Sequence, residues 1–129
     1  MNGKYLLDTN IVIAIFAEDA DTLERLVEST EVFLPIIALG ELYYGARKSK
    51  HVDANVGRID ELAASSALLE CDLETSRYYG RIKNGLRAKG RPIPENDIWI
   101  AAVAQQHGLT LVSRDTHFDE VDALALEVW

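Results

Sequence analysis

The chain alternates short apolar runs with longer segments of helical periodicity. Lys4 to Asp8 reads as a short buried strand, and Asn10 to Phe16 follows with a helical pattern. Asp21 to Ser29 predicts a second helix with Leu23, Leu26 and Val27 turned inward. Val32-Phe33-Leu34 forms a second strand, after which Pro35 suits the first turn of a helix running to about Lys48. Asp53 to Ser65 places Val56, Ile59, Leu62 and Ala63 on one helical face. Leu68 to Cys71 is a third strand. Thr75 to Lys89 is a helix ended by Gly90 and Pro92, and Glu95 to His107 is another, introduced by Pro94 and stopped by Gly108. Thr110 to Ser113 is a fourth strand and Ala125 to Val128 a candidate fifth. This alternation predicts an α/β fold around a mostly parallel sheet. No repeat, low-complexity tract or linker divides the 129 residues, which suit a single domain, 1–129.

Hydrophobic residues make up 48% and charged residues 26%, ordinary for a globular protein. The apolar run Ile11 to Ala17 is too short to span a bilayer, and no small-residue cleavage site follows it. Cys71 is alone, so it has no disulfide partner in the chain, and its apolar neighbours Leu68 and Leu69 predict a reduced core thiol and a cytoplasmic home. His51, His107 and His117 lie in polar contexts and read as surface residues, not as ligands.

What changes the picture is the placement of four acids. Open parallel sheets gather ligands beyond the carboxyl ends of their strands. Asp8 ends the first strand, and Asp115 follows the fourth by two residues. Glu41 interrupts the apolar helix PIIALGELYYGA, and Asp97 falls in the first turn of the helix after Pro94. Each has a plainer role: Asp8 as a helix cap, Asp97 as a favourable charge at a helix N-terminus, Asp115 as a turn residue. Glu41 is harder to dismiss, because burying a carboxylate on so apolar a helix is costly without a partner. Two carboxylates about 5 Å apart repel by about 3 kcal/mol at an effective dielectric near 20. Several such pairs would consume much of a domain's stability of about 5–15 kcal/mol. A divalent cation removes that cost, and an all-oxygen ligand set selects Mg²⁺ or Mn²⁺ over zinc.

These residues resemble the signature of PIN-domain ribonucleases, and more closely the VapC-type toxins of toxin–antitoxin pairs. LLDTNIVI resembles the opening strand and Asp-Thr-Asn, ELYYGA the Glu-Leu-x-x-Gly helix, and NDIWIAAVAQQHGLTLVSRDTHF the late helix, strand and acidic turn. The resemblance runs from about Lys4 to the C-terminus. It implies a three-layer α/β/α sandwich with a mostly parallel sheet of four to five strands. It places the catalytic, metal-binding acids at Asp8, Glu41, Asp97 and Asp115, and the hydroxyls that steady them at Thr9 and Ser113. It further implies Mg²⁺-dependent cleavage of RNA (with Mn²⁺ a substitute), a homodimer, and a small antitoxin in the active-site groove. Asp8 and Asp97 are then expected to hold the principal ion, with Glu41 and Asp115 completing its shell or holding a second.

Net charge is −8, from 13 basic and 21 acidic residues, which by itself argues against nucleic acid. The charge is segregated, however: Arg77, Arg81, Lys83, Arg87, Lys89 and Arg91 lie between Thr75 and Pro94 with no acid among them. On the Thr75–Lys89 helix, Tyr78, Tyr79, Ile82 and Leu86 share one face, while Arg77, Arg81, Lys83 and Arg87 spread over the other as candidate RNA-binding residues. Two alternatives stand beside the nuclease reading. One is a catalytically silent PIN-like binding or assembly domain. The other is a haloacid-dehalogenase-type phosphatase, which places a nucleophilic Asp after its first strand but wants an acid where this chain has Asn10.

Overall fold

The computed structural model describes residues 3–129. In chain order the elements are β1 (Lys4–Leu7), α1 (Thr9–Phe16), α2 (Ala20–Glu28), β2 (Glu31–Pro35), α3 (Ile36–Arg47), α4 (Val52–Ser65), β3 (Ala67–Leu69), α5 (Leu73–Lys89), α6 (Glu95–Gln106), β4 (Thr110–Val112), a 3-10 helix (Thr116–Glu120) and β5 (Leu126–Glu127). The strands form one sheet in the order β3-β2-β1-β4-β5, and every neighbouring pair is parallel.

The sheet is covered on both faces, as a parallel sheet with helical crossovers must be. Successive residues of a strand point to opposite faces, and β1 shows the consequence. Leu6, paired in register with Leu111, packs with Ile82, Leu86, Ile98 and Ile100 from α5 and α6. Tyr5 and Leu7, the latter paired with Val112, pack with Ile11 and Val12 of α1, Leu39 and Leu42 of α3 and Ile59 of α4. Three layers follow directly from a central strand that is apolar and buried at Tyr5, Leu6 and Leu7.

Local chemistry sets the boundaries. Asp8 caps α1 and Asp19 caps α2. The Asp72 side chain accepts from the Thr75 N–H, and the Thr75 hydroxyl accepts from the Asp72 N–H. This reciprocal cap starts α5 two residues before the expected Thr75. Gly90 ends the helix at φ 67°, a left-handed conformation that glycine adopts at no steric cost. Pro35 closes β2 instead of opening α3, since its fixed φ also suits the final strand position and it caps the helix from there.

Two expectations fail for one reason: edge elements bury less than their composition suggests. Cys71 is exposed, not a core thiol, because the edge strand β3 stops at Leu69 and leaves the cysteine beyond the sheet. Val27 is 84% exposed, because α2 turns the fully buried Thr22 inward together with Leu26. No helix among the described residues is long and apolar enough to cross a membrane.

Phe118 is fully buried and fixes the 3-10 helix to the α5–α6 side of the sheet. Phe118→Ala is expected to destabilise the protein by about 3–5 kcal/mol, measured as a lower urea midpoint at unchanged slope.

Candidate active site

The strand order reverses at β1: the chain steps outward to β2 and β3, then returns to place β4 on the other side of β1. The carboxyl ends of β1 and β4 therefore meet at the topological switch point, where open α/β sheets bind ligands. The Asp8 N–H donates to the Val112 carbonyl at 2.9 Å, which carries the pairing one residue past β1.

Asp8 is 4% exposed and is held through both oxygens. Its Oδ1 accepts from the Thr9 N–H at 2.8 Å and its Oδ2 from the Ser113 hydroxyl at 2.7 Å. Thr9 also donates its hydroxyl to Glu41 Oε1 at 2.7 Å, so adjacent residues of one strand–helix junction fix two of the acids. Ser113 Oγ in turn accepts from the Asp115 N–H at 2.9 Å. The two hydroxyl residues named from the sequence thus sit between Asp8 and its neighbours. Asn10 completes the junction: its Nδ2 reaches Ser113 Oγ at 3.4 Å and its Oδ1 accepts from the Arg114 N–H at 3.2 Å.

Asp97 enters from the first turn of α6 and is 8% exposed. Asp115 caps the 3-10 helix, accepting from the His117 N–H at 3.0 Å. Asp8, Asp97 and Asp115 all lie at helix starts, where unpaired backbone N–H groups favour negative charge. The plainer roles considered for these three residues are therefore real, and they coexist with convergence. Burial pushes the Asp97 carboxyl up to about 6, reinforced by the charges of Asp8, Asp115 and Glu41, while His117 pulls the other way. Burial also raises the Asp8 carboxyl, with Glu41 and Asp115 adding to the rise against the hydrogen bonds from Ser113 and Thr9. Asp8 and Asp97, distant in sequence, therefore each lie within electrostatic range of Glu41 and Asp115.

His117, expected on the surface, is a member of this cluster. Its side chain is 47% exposed, yet Nδ1 lies 2.9 Å from Asp115 Oδ1 and 3.2 Å from Asp97 Oδ2. Donor atoms of Asp97, Asp115 and His117 all fall within 4.8 Å of one another, a spacing that can hold a metal ion. A polar sequence context hid this residue. The signal available was its position two residues after Asp115 and immediately before an aromatic anchor, Phe118.

Arg114 is turned away from the acids. Its Nε donates to the Trp129 carbonyl at 2.9 Å, and its Nη2 reaches Asp19 at 3.2 Å and the Thr22 hydroxyl at 2.9 Å. It clamps the β4 exit to the start of α2.

The basic face of α5 is less free than its sequence implies. Arg77 pairs with Glu74 at 3.3 Å, and Lys83 pairs with Glu95 at 3.0 Å beside the Tyr79 hydroxyl. The Arg81 guanidinium lies 5.0 Å from the Tyr78 ring centre, and Arg87 is exposed. Tyr79 stacks on Trp99 with ring centres 4.1 Å apart, so it serves helix packing. Lys83 thereby ties α5 to the first turn of α6, the turn that also carries Asp97.

Residues 5–124 match the family described as PIN domain. Over 129 residues the chain is 37% identical to Ribonuclease VapC2 of Haemophilus influenzae, with 98% of each chain covered. It is 33% identical to the tRNA(fMet)-specific endonuclease VapC of Shigella flexneri, again over 98% of each. The crystal structure of VapBC2 from Rickettsia felis bound to a DNA fragment from their promoter superposes with a TM-score of 0.87 at 32% identity, covering 97% of this chain and 98% of that one. The family match spans every element that contributes an acid to the pocket, and this chain belongs to the PIN-domain family.

Proposed function

We propose that this protein is a divalent-metal-dependent endoribonuclease, the toxin of a toxin–antitoxin pair, with Asp8, Glu41, Asp97 and Asp115 as its metal-binding catalytic residues. The observation that carries the reading is the convergence of four carboxylates at the β1/β4 switch point, two of them nearly buried, with Thr9 and Ser113 donating hydroxyls into the group. The relatives support the same chemistry: one is described as a ribonuclease and another as an endonuclease specific for tRNA(fMet).

The donor set fits a hard cation. Glu41 uses Oε1 for Thr9 and Asp97 uses Oδ2 for His117; among the described residues the other oxygen of each accepts no hydrogen bond. When bound, Mg²⁺ or Mn²⁺ supplies charge neutralisation at a phosphate and a lower pKa for an attacking water. The protein's own part is positional. Thr9 and Ser113 orient Glu41 and Asp8, and Asn10 ties the β1 and β4 exits together. Nothing in this arrangement needs a side-chain nucleophile. Cys71 follows the edge strand β3, two strands removed from β1. Asn10 stands where a haloacid-dehalogenase phosphatase needs an acid, and it is occupied in the junction.

Charge placement and shape suit the expected partners. Arg81 and Arg87 are exposed on α5, which Lys83 ties to the first turn of α6, a face for positioning RNA phosphates. Glu41 opens onto an apolar cleft of about 200 Å³ lined by Thr9, Ile13, Phe16, Gly45 and Ile59, which suits an apolar segment of an antitoxin beside the acids. Ile36 and Tyr44, both exposed on α3, are candidates for the homodimer contact.

Asp8→Asn and Asp97→Asn are each expected to lower RNA cleavage by at least about 100-fold while the protein stays folded; wild-type rates in either would remove the acid cluster from catalysis. The raised Asp97 carboxyl sets a pH test. Between the ordinary value of 3.8 and about 6, the unfolded chain has released this proton while the folded, metal-free protein keeps it. Stability of the metal-free protein therefore falls as pH rises through that window and stays reduced above it. In chelator above pH 6, Asp97→Asn is expected to stabilise the protein by about 1–2 kcal/mol, a gain absent near pH 4 and read from thermal melts. The same substitution is expected to erase the rise in melting temperature that Mg²⁺ or Mn²⁺ gives the wild type. Arg81→Gln together with Arg87→Gln is expected to weaken binding to single-stranded RNA and to flatten its salt dependence by roughly one to two units of logarithmic slope.

A further inference from the structure

Resting on the reading of the acid cluster as a cation site, we propose that His117 supplies a nitrogen donor to that site through Nδ1, beside Asp97 and Asp115, and that the site thereby takes Mn²⁺ in preference to Mg²⁺.

Three potential donor atoms converge here. His117 Nδ1 stands 2.9 Å from Asp115 Oδ1 and 3.2 Å from Asp97 Oδ2, and in the Nε2–H tautomer it presents a lone pair beside theirs. A single N–H proton satisfies one acceptor along its axis and leaves the second poorly served, because hydrogen bonds weaken steeply away from linearity. A cation satisfies all three donors at once. The spacing is also the right one. With metal–ligand bonds of about 2.1 Å, adjacent donors of an octahedron lie about 3.0 Å apart. The two measured separations straddle that value.

The backbone that carries the ring is held in place. The His117 N–H is bound to Asp115 Oδ1 at 3.0 Å, and the Asp115 N–H is bound to Ser113 at 2.9 Å. Phe118, the next residue, is fully buried. The backbone on either side of the imidazole is therefore pinned, and Nδ1 faces the acids as a consequence of the fold. About half of the side chain remains open to solvent, which leaves a route for ion exchange and for substrate.

Ion preference follows from donor type. Carboxylate oxygens alone suit Mg²⁺, which bonds nitrogen weakly and holds its water shell tightly. An imidazole nitrogen shifts preference toward first-row transition ions, and among these Mn²⁺ is the one that also suits a carboxylate-rich set. A histidine that merely oriented the two acids would strengthen binding of both ions alike.

The test uses the full-length protein without RNA, as wild type, His117→Ala and His117→Gln, each checked for folding by its thermal melt. Calorimetry gives the Mn²⁺ and Mg²⁺ dissociation constants, and pulsed EPR of substoichiometric Mn²⁺ reports nitrogen coupled to the bound ion. The expected result is a directly coordinated imidazole nitrogen in wild type, absent from both variants. Mn²⁺ binding should weaken by at least about tenfold and Mg²⁺ binding by less than about twofold. Bound Mn²⁺ without a nitrogen coupling in wild type overturns the proposal, as does an equal loss for both ions, while the cation-site reading survives either outcome. A wild type that binds neither ion removes the cation site and this proposal together. Should both variants unfold, the wild-type spectrum alone decides.

Discussion

Mutual repulsion among carboxylates is the constraint around which this molecule is arranged. Four acids gather at the carboxyl edge of the sheet, and burial compounds the cost of charging Asp8 and Asp97. Several features offset that cost without removing it. The Thr9 N–H at the start of α1 donates to Asp8, and Asp97 sits in the first turn of α6, where negative charge is favoured. Thr9 and Ser113 each donate a hydroxyl to one carboxylate. His117 stands between two more. What remains uncompensated is a site poised for positive charge, which is the physical basis of its expected affinity for a divalent ion and, through it, for a phosphodiester.

The scaffold around the pocket is built so that the acids cannot relax apart. β1 is buried at Tyr5, Leu6 and Leu7 and sits in the middle of the sheet, so Asp8 emerges from a strand paired on both sides. The β4 exit is tied back from two directions. Asn10 accepts from the backbone of Arg114, and the Arg114 guanidinium grips Asp19, Thr22 and the Trp129 carbonyl. A residue whose charge suggests a ligand contact serves instead to fix the loop that carries Ser113 and Asp115. Phe118, one residue past His117, anchors that loop from the other face of the sheet.

The charge pattern has a related lesson. The run from Thr75 to Pro94 contains no acid, which suggests an unopposed basic surface. In the folded molecule Glu74, Glu95, Glu120 and Asp122 answer Arg77, Lys83, Arg91 and Lys89. Such exposed pairs contribute little stability individually. They do reduce the field available for nucleic acid, and Arg81 and Arg87 are left as the outward-facing cations of the four named from the sequence.

Element order, the parallel sheet and the four acids were legible in the sequence, because strand and helix periodicities are local and an acid inside an apolar run is conspicuous. Thr9 and Ser113 were legible only through family resemblance, since a hydroxyl beside an acid has no distinctive pattern of its own. Tertiary structure alone decided the rest. His117 joins the site because Phe118 docks the 3-10 helix; Cys71 is exposed because an edge strand ends early; Val27 faces solvent because Thr22 takes the inward position on α2. In each case the outcome depends on which element packs against which. Periodicity reports which residues share a face, but it does not say what that face meets, and the chemistry of this pocket arises where the exits of strands far apart in sequence come to lie side by side.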